Sequence, residues 1–65
     1  MLKKFESQLK EGERILGTAV TRVFKESESV ECIVVVTLDN DGNNIYLIYV
    51  NDEVTWELLL HANIG

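Results

Sequence analysis

The chain has 65 residues, 46% of them hydrophobic, and a net charge of −5. Those figures describe one domain, 1–65, near the lower size limit for folding alone, and they exclude a disordered chain. No apolar run approaches the roughly 20 residues that cross a bilayer, MLKKFESQLK lacks the apolar stretch of a signal peptide, and the lone Cys32 cannot close an internal disulfide, so the composition predicts a cytoplasmic protein.

In chain order, Leu2, Phe5 and Leu9 fall at helical spacing, with Lys3, Lys4, Glu6 and Lys10 elsewhere on the wheel. This predicts a short amphipathic helix over Met1 to about Lys10, stopped near Gly12, which must dock on something because so short a helix is marginal alone. Glu13 to Lys25 is rich in Thr, Val and Ile and reads as a strand. Its alternation puts Leu16, Val20 and Phe24 on one face and Ile15, Ala19 and Val23 on the other, with Gly17 at a bulge or bend.

Glu26-Ser27-Glu28-Ser29 reads as a polar turn. A second strand runs from about Val30 to Leu38 and a third from about Asn44 to Val50, around a polar centre containing Asp41-Gly42. That is a hairpin signal, because Asp-Gly tolerates the positive φ that paired, twisted strands ask of their turn. Val30, Cys32, Val34, Val36 and Leu38 form a wholly apolar face, and Ile33 to Val36 is apolar on both, as in a central strand. After a turn at Asn51-Asp52, the segment from Glu53 to about Ala62 suits either a strand or a short helix; the opening Val-Thr-Trp favours the strand. The predicted fold is α+β: a short N-terminal helix packed on a three- to four-stranded antiparallel β-meander.

No catalytic signature is present. Asp39 to Asn44 has the glycine of a calcium loop in place, but Thr37 stands at its first position and Ile48 replaces the glutamate at its twelfth. Cys32 reads as a buried small hydrophobe with no histidine near it in sequence, and His61, the only histidine, as a sheet-edge or surface residue. There is no nucleophile elbow and no phosphate loop. The sequence therefore predicts no enzyme, no cofactor and no metal site.

The charges are unevenly placed. Residues 1–25 hold all six bases, and residues 26–65 hold eight acids and no Lys or Arg: Glu26, Glu28, Glu31, Asp39, Asp41, Asp52, Glu53 and Glu57. Acids and bases ordinarily intersperse on a soluble surface. These eight are the candidate partner-binding residues. Glu26, Glu28 and Glu31 would gather at the first turn, Asp52 and Glu53 at the same end of a meander, and Asp39 and Asp41 at the other. Such a surface repels nucleic acid and steers basic proteins toward it.

In size, charge and helix-plus-sheet pattern the chain resembles small phage-encoded host-takeover proteins, and among them it is similar to DNA-mimic inhibitors that occupy the basic surface of histone-like HU proteins. The resemblance spans the whole chain and rests on no motif. It implies that the eight acids stand in for phosphates, that the partner is a basic DNA-binding protein of the nucleoid type, and that Lys3, Lys4, Arg14 and Arg22 lie off the binding face. The alternative is a structural or interaction module, a small homo-oligomer or a designed or orphan domain without a ligand site. A homodimer is expected in either case, because the core is small and a four-stranded sheet leaves exposed edges.

Overall fold

The computed structural model describes residues 3–50 and 55–63. Its elements are α1 (Lys3–Glu6), β1 (Arg14–Lys25), β2 (Glu28–Leu38), β3 (Gly42–Tyr49) and β4 (Thr55–Asn63). The strands form one antiparallel sheet in the order β1-β2-β3-β4, the expected meander. The ambiguous final segment is a strand where it is described; Leu2, Asn51, Asp52, Glu53 and Val54 lie outside the described residues. No helix among the described residues is long and apolar enough to cross a membrane.

The α+β expectation holds in part: the antiparallel sheet is present and the helix is very short. Among the described residues only four are helical, and most are strand. With Gly12 at φ +84° the chain turns out of Lys10–Glu13 into β1, so the periodic stretch that predicted ten helical residues yields one helical turn followed by tight turns. Its apolar spacing still serves: Phe5 is buried on Val35 and Ile48, with Leu9, Ile15, Ile33, Tyr46 and Trp56 around them. The Phe5 ring meets Tyr46 and Trp56 edge-on, at centroid separations of 5.0 and 5.6 Å. This is the helix face of the sheet.

Two bulges correct the predicted alternation. Ile15 pairs with Thr37 and Gly17 with Val36, leaving Leu16 as an extra residue. Ile15 therefore shares the helix face with Val20 and Phe24 rather than lying with Ala19 and Val23. On β4, Leu58 pairs with Tyr46 and Leu60 with Ile45, so Leu59 is extra. That moves His61 onto the helix face and Leu60 onto the opposite one. The first turn also differs from the four-residue expectation. Only Glu26 and Ser27 turn the chain, both at positive φ (51° and 66°), and Glu28 and Ser29 belong to β2.

Pairing fixes where each strand ends. Lys25 opposes Glu28, and β1 stays paired with β2 throughout. The β2–β3 ladder, however, runs only from Cys32 to Leu38 on β2. Arg22–Glu31 is therefore a two-stranded arm that projects past the end of β3.

Candidate functional site: a polar clasp and a projecting arm

Beside the apolar core, the end of the helix face near Leu38 holds a cluster of buried polar side chains. Glu13, Thr37, Asp39 and Asn44 are all buried. Pairing of Thr37 with Asn44, and of Asn44 with His61, aligns them across three strands. Glu13, just before β1, enters the cluster because the Lys10–Glu13 turn folds its carboxylate inward. One oxygen, Oε1, accepts from the Lys10 backbone N–H at 3.0 Å. The other, Oε2, accepts from the Thr37 hydroxyl, from Tyr46 OH at 2.9 Å and from Asn44 Nδ2 at 3.2 Å.

Asp39 completes the clasp. Its Oδ1 accepts from the backbone N–H groups of Asp41 and Gly42, at 2.8 and 2.9 Å. Its Oδ2 accepts from Asn44 Nδ2 at 2.7 Å and lies 3.9 Å from Lys10 Nζ. With the Asn44 amide nitrogen committed to two carboxylates, its Oδ1 must accept, and His61 Nδ1 lies against it. His61 thus turns both ring nitrogens toward amide oxygens, Nδ1 to Asn44 and Nε2, at 2.9 Å, to Asn63.

These contacts set the protonation states. Burial pushes the Glu13 carboxyl up, but the bonds from Thr37, Lys10 N–H and Tyr46, together with the Lys10 charge, outweigh it and hold the group below the usual glutamate value. Asp39 is lowered chiefly by the Asn44 bond, then by the Asp41 and Gly42 N–H groups. The Tyr46 hydroxyl is pushed up to about 12 by burial and by its bond to the Glu13 carboxylate. Chemically the clasp is closed. Thr37 spends its hydroxyl proton on Glu13, and among the described residues every buried side-chain nitrogen and oxygen has a partner. It fastens the N-terminal turns to the sheet and offers no activated nucleophile.

Most of the clasp was missing from the sequence-based candidates: Glu13, Thr37, Asn44 and Tyr46 were not among them. The available signal was register, since Thr37, Asp39, Asn44 and Tyr46 fall at one end of one face once β2 and β3 are paired.

The predicted partner-binding acids divide between the two ends of the sheet. Asp39 is buried in the clasp and Asp41 is exposed in the adjoining turn. Glu57 lies on the opposite face, where it accepts from Tyr49 OH, and this bond raises the Tyr49 hydroxyl above its ordinary value. Asp52 and Glu53 lie outside the described residues. Glu26, Glu28 and Glu31 are exposed on the arm, Glu26 in its turn and Glu28 and Glu31 on opposite faces. Glu31 faces Arg22 at 3.7 Å, and Lys25 folds back to 4.7 Å from the Tyr49 ring centroid. Among the described residues no base pairs with Glu26 or Glu28. Phe24, also on the arm, is 82% exposed.

Cys32 is fully buried on the face away from the helix. Among the described residues no three of His, Cys, Asp and Glu converge as a metal set. Comparison with protein-family models, with curated proteins and with solved structures finds no match to the chain.

Proposed function

We propose that this is a small acidic protein-binding module, without catalytic activity, that engages a basic partner through the β1–β2 arm. The observation that carries the reading is the arm itself: a hairpin projecting past β3 with a solvent-exposed Phe24 and Glu31 on its helix face, Glu26 at its tip and Glu28 on its other face. Aromatic side chains are enriched at protein interfaces, and carboxylates near one raise the association rate with a positively charged surface.

The partner we favour is a basic DNA-binding protein of the nucleoid type, with the arm carboxylates occupying places that phosphates would take. Of the eight acids, three lie on this arm: Glu26 at its tip, Glu31 on the Phe24 side and Glu28 on the other. Asp39 is committed to the clasp, and the exposed Asp41 lies on the order of 30 Å away along β2.

The test is competition. Added to a basic nucleoid protein bound to DNA, the chain should release DNA at low salt and cease to do so at high salt. The triple variant E26Q, E28Q, E31Q should release several-fold less, and Phe24→Ala should weaken binding at every salt concentration. DNA that stays bound at all salt concentrations, or a triple variant as effective as the parent, would remove the reading.

A further inference from the structure

We propose that the face of the sheet opposite the helix is a self-association surface, on which two copies of the chain stack their sheets into a β-sandwich. The inference does not rest on the arm. No helix or strand among the described residues packs on this face, and its centre is apolar on all four strands: Ala19, Val34, Val36, Ile45 and Leu60 are at least partly exposed around the buried Leu47. Leu60 is 56% exposed on an outer strand, whereas an antiparallel sheet that faces water ordinarily alternates to polar residues there.

Three observations select a second copy as the occupant. The first is exposed surface. The accessible area is 4762 Å², whereas a compact monomer of this mass exposes about 4,200 Å². The second is the area available. At about 3.3 Å per residue and 4.8 Å per strand, the four-stranded part of this face covers on the order of 500 Å² in projection, so two copies would bury on the order of 1,000 Å² between them. That is the size at which specific interfaces begin.

The third is charge. On the four-stranded part of this face β1 carries the base Arg14 and β4 carries the acid Glu57; Lys25 and Glu28, opposite each other on the arm, lie beyond it. A two-fold axis parallel to the strands lays β1 of each copy over β4 of the other. The base-bearing edge then meets the acid-bearing edge on both flanks, and the apolar centres meet in the middle at the usual sheet spacing of about 10 Å.

Sedimentation of the full chain from low micromolar to millimolar concentration tests this. The expected species at high micromolar concentration has twice the 7.4 kDa chain mass. Val34→Lys and Leu60→Lys should each return it to the chain mass, and Val20→Lys, on the helix face, should not. Because a central-strand lysine can compromise folding, circular dichroism accompanies each variant, and Leu60→Lys on the outer strand decides alone if Val34→Lys unfolds. A 7.4 kDa species at high micromolar concentration overturns the proposal and leaves the face to a different protein. A folded L60K variant that remains dimeric also overturns it, in favour of pairing through a strand edge. The triple variant E26Q, E28Q, E31Q should dimerise like the parent, which separates failure here from failure of the arm reading.

Discussion

Glu13 is the residue on which the polar half of the fold turns. Its carboxylate accepts bonds from Lys10, Thr37, Asn44 and Tyr46, so truncation strands several donors in a buried place. Leaving buried donors unpaired costs about 1–3 kcal/mol per group, more when the lost partner is charged. Glu13→Ala should therefore destabilise by about 3 kcal/mol in urea unfolding, and Glu13→Gln by less. The pH dependence follows from the lowered carboxyls of Glu13 and Asp39. In the acid range the unfolded chain binds more protons than the folded one. Stability is thus complete above the ordinary carboxylate values and declines as the pH falls through the folded ones. Thermal unfolding from pH 6 downward should show that decline, with a shallower slope in Glu13→Gln. At the alkaline end the sign reverses: Tyr46 is raised to about 12, so stability should fall as pH rises from about 10 to 12. A second residue is constrained sterically. A Cβ on Gly42, at φ +153°, would lie 1.9 Å from the Ala62 carbonyl oxygen, and Gly42→Ala should unzip the β3–β4 end and lower the melting temperature by at least 10 °C.

The arm is an element whose binding surface conflicts with its own stability. Its turn uses Glu26 and Ser27 at positive φ, where residues other than glycine and asparagine are disfavoured by about 1–2 kcal/mol. Replacing the pair with Asn-Gly should raise the melting temperature by several degrees while removing one of the three arm carboxylates, so DNA displacement from a basic protein should weaken as stability improves. A variant that gained neither stability nor lost displacement would show the turn to be neutral. The strands themselves were legible because their β-branched runs and turn residues report local geometry. The registers were less so, because a bulge is set by how two strands meet. Gly17 signalled the first bulge, though not that Leu16 would be its extra residue; Leu59 fits a plain alternation, yet it too is extra and re-aims His61 onto Asn44. The clasp was illegible for the same reason. Glu13 lies 24 residues from Thr37 and 31 from Asn44, and no local pattern joins them. The helix was overestimated because periodicity records which side chains dock, and Phe5 and Leu9 dock through a single turn and a bend.

At the scale of the whole molecule, the fold is a thin slab, 38 × 24 × 16 Å, with a covering turn on one side. Domains of this size are marginal, with net stability on the order of 5 kcal/mol, and Phe5 supplies much of the core contact on the covered side. Truncating a buried Phe costs about 3–5 kcal/mol, so Phe5→Ala would consume most of what one chain has. If the open face is closed by a second copy, folding and association are one equilibrium, and stability depends on concentration. A tenfold rise in protein concentration then adds about 1.4 kcal/mol per dimer, or about 0.7 per chain, which corresponds to about 3–5 °C in melting temperature for a domain this small. The dependence should vanish in Leu60→Lys, which keeps the helix-face core but puts a charge where the second sheet would lie. Phe5→Ala should be rescued in part at millimolar concentration, since mass action favours the folded, paired form. Scanning calorimetry at three concentrations checks all of this together. A melting temperature that stays constant over a hundredfold range would show that the slab holds itself up with one face bare, and the apolar centre of that face would then need another occupant.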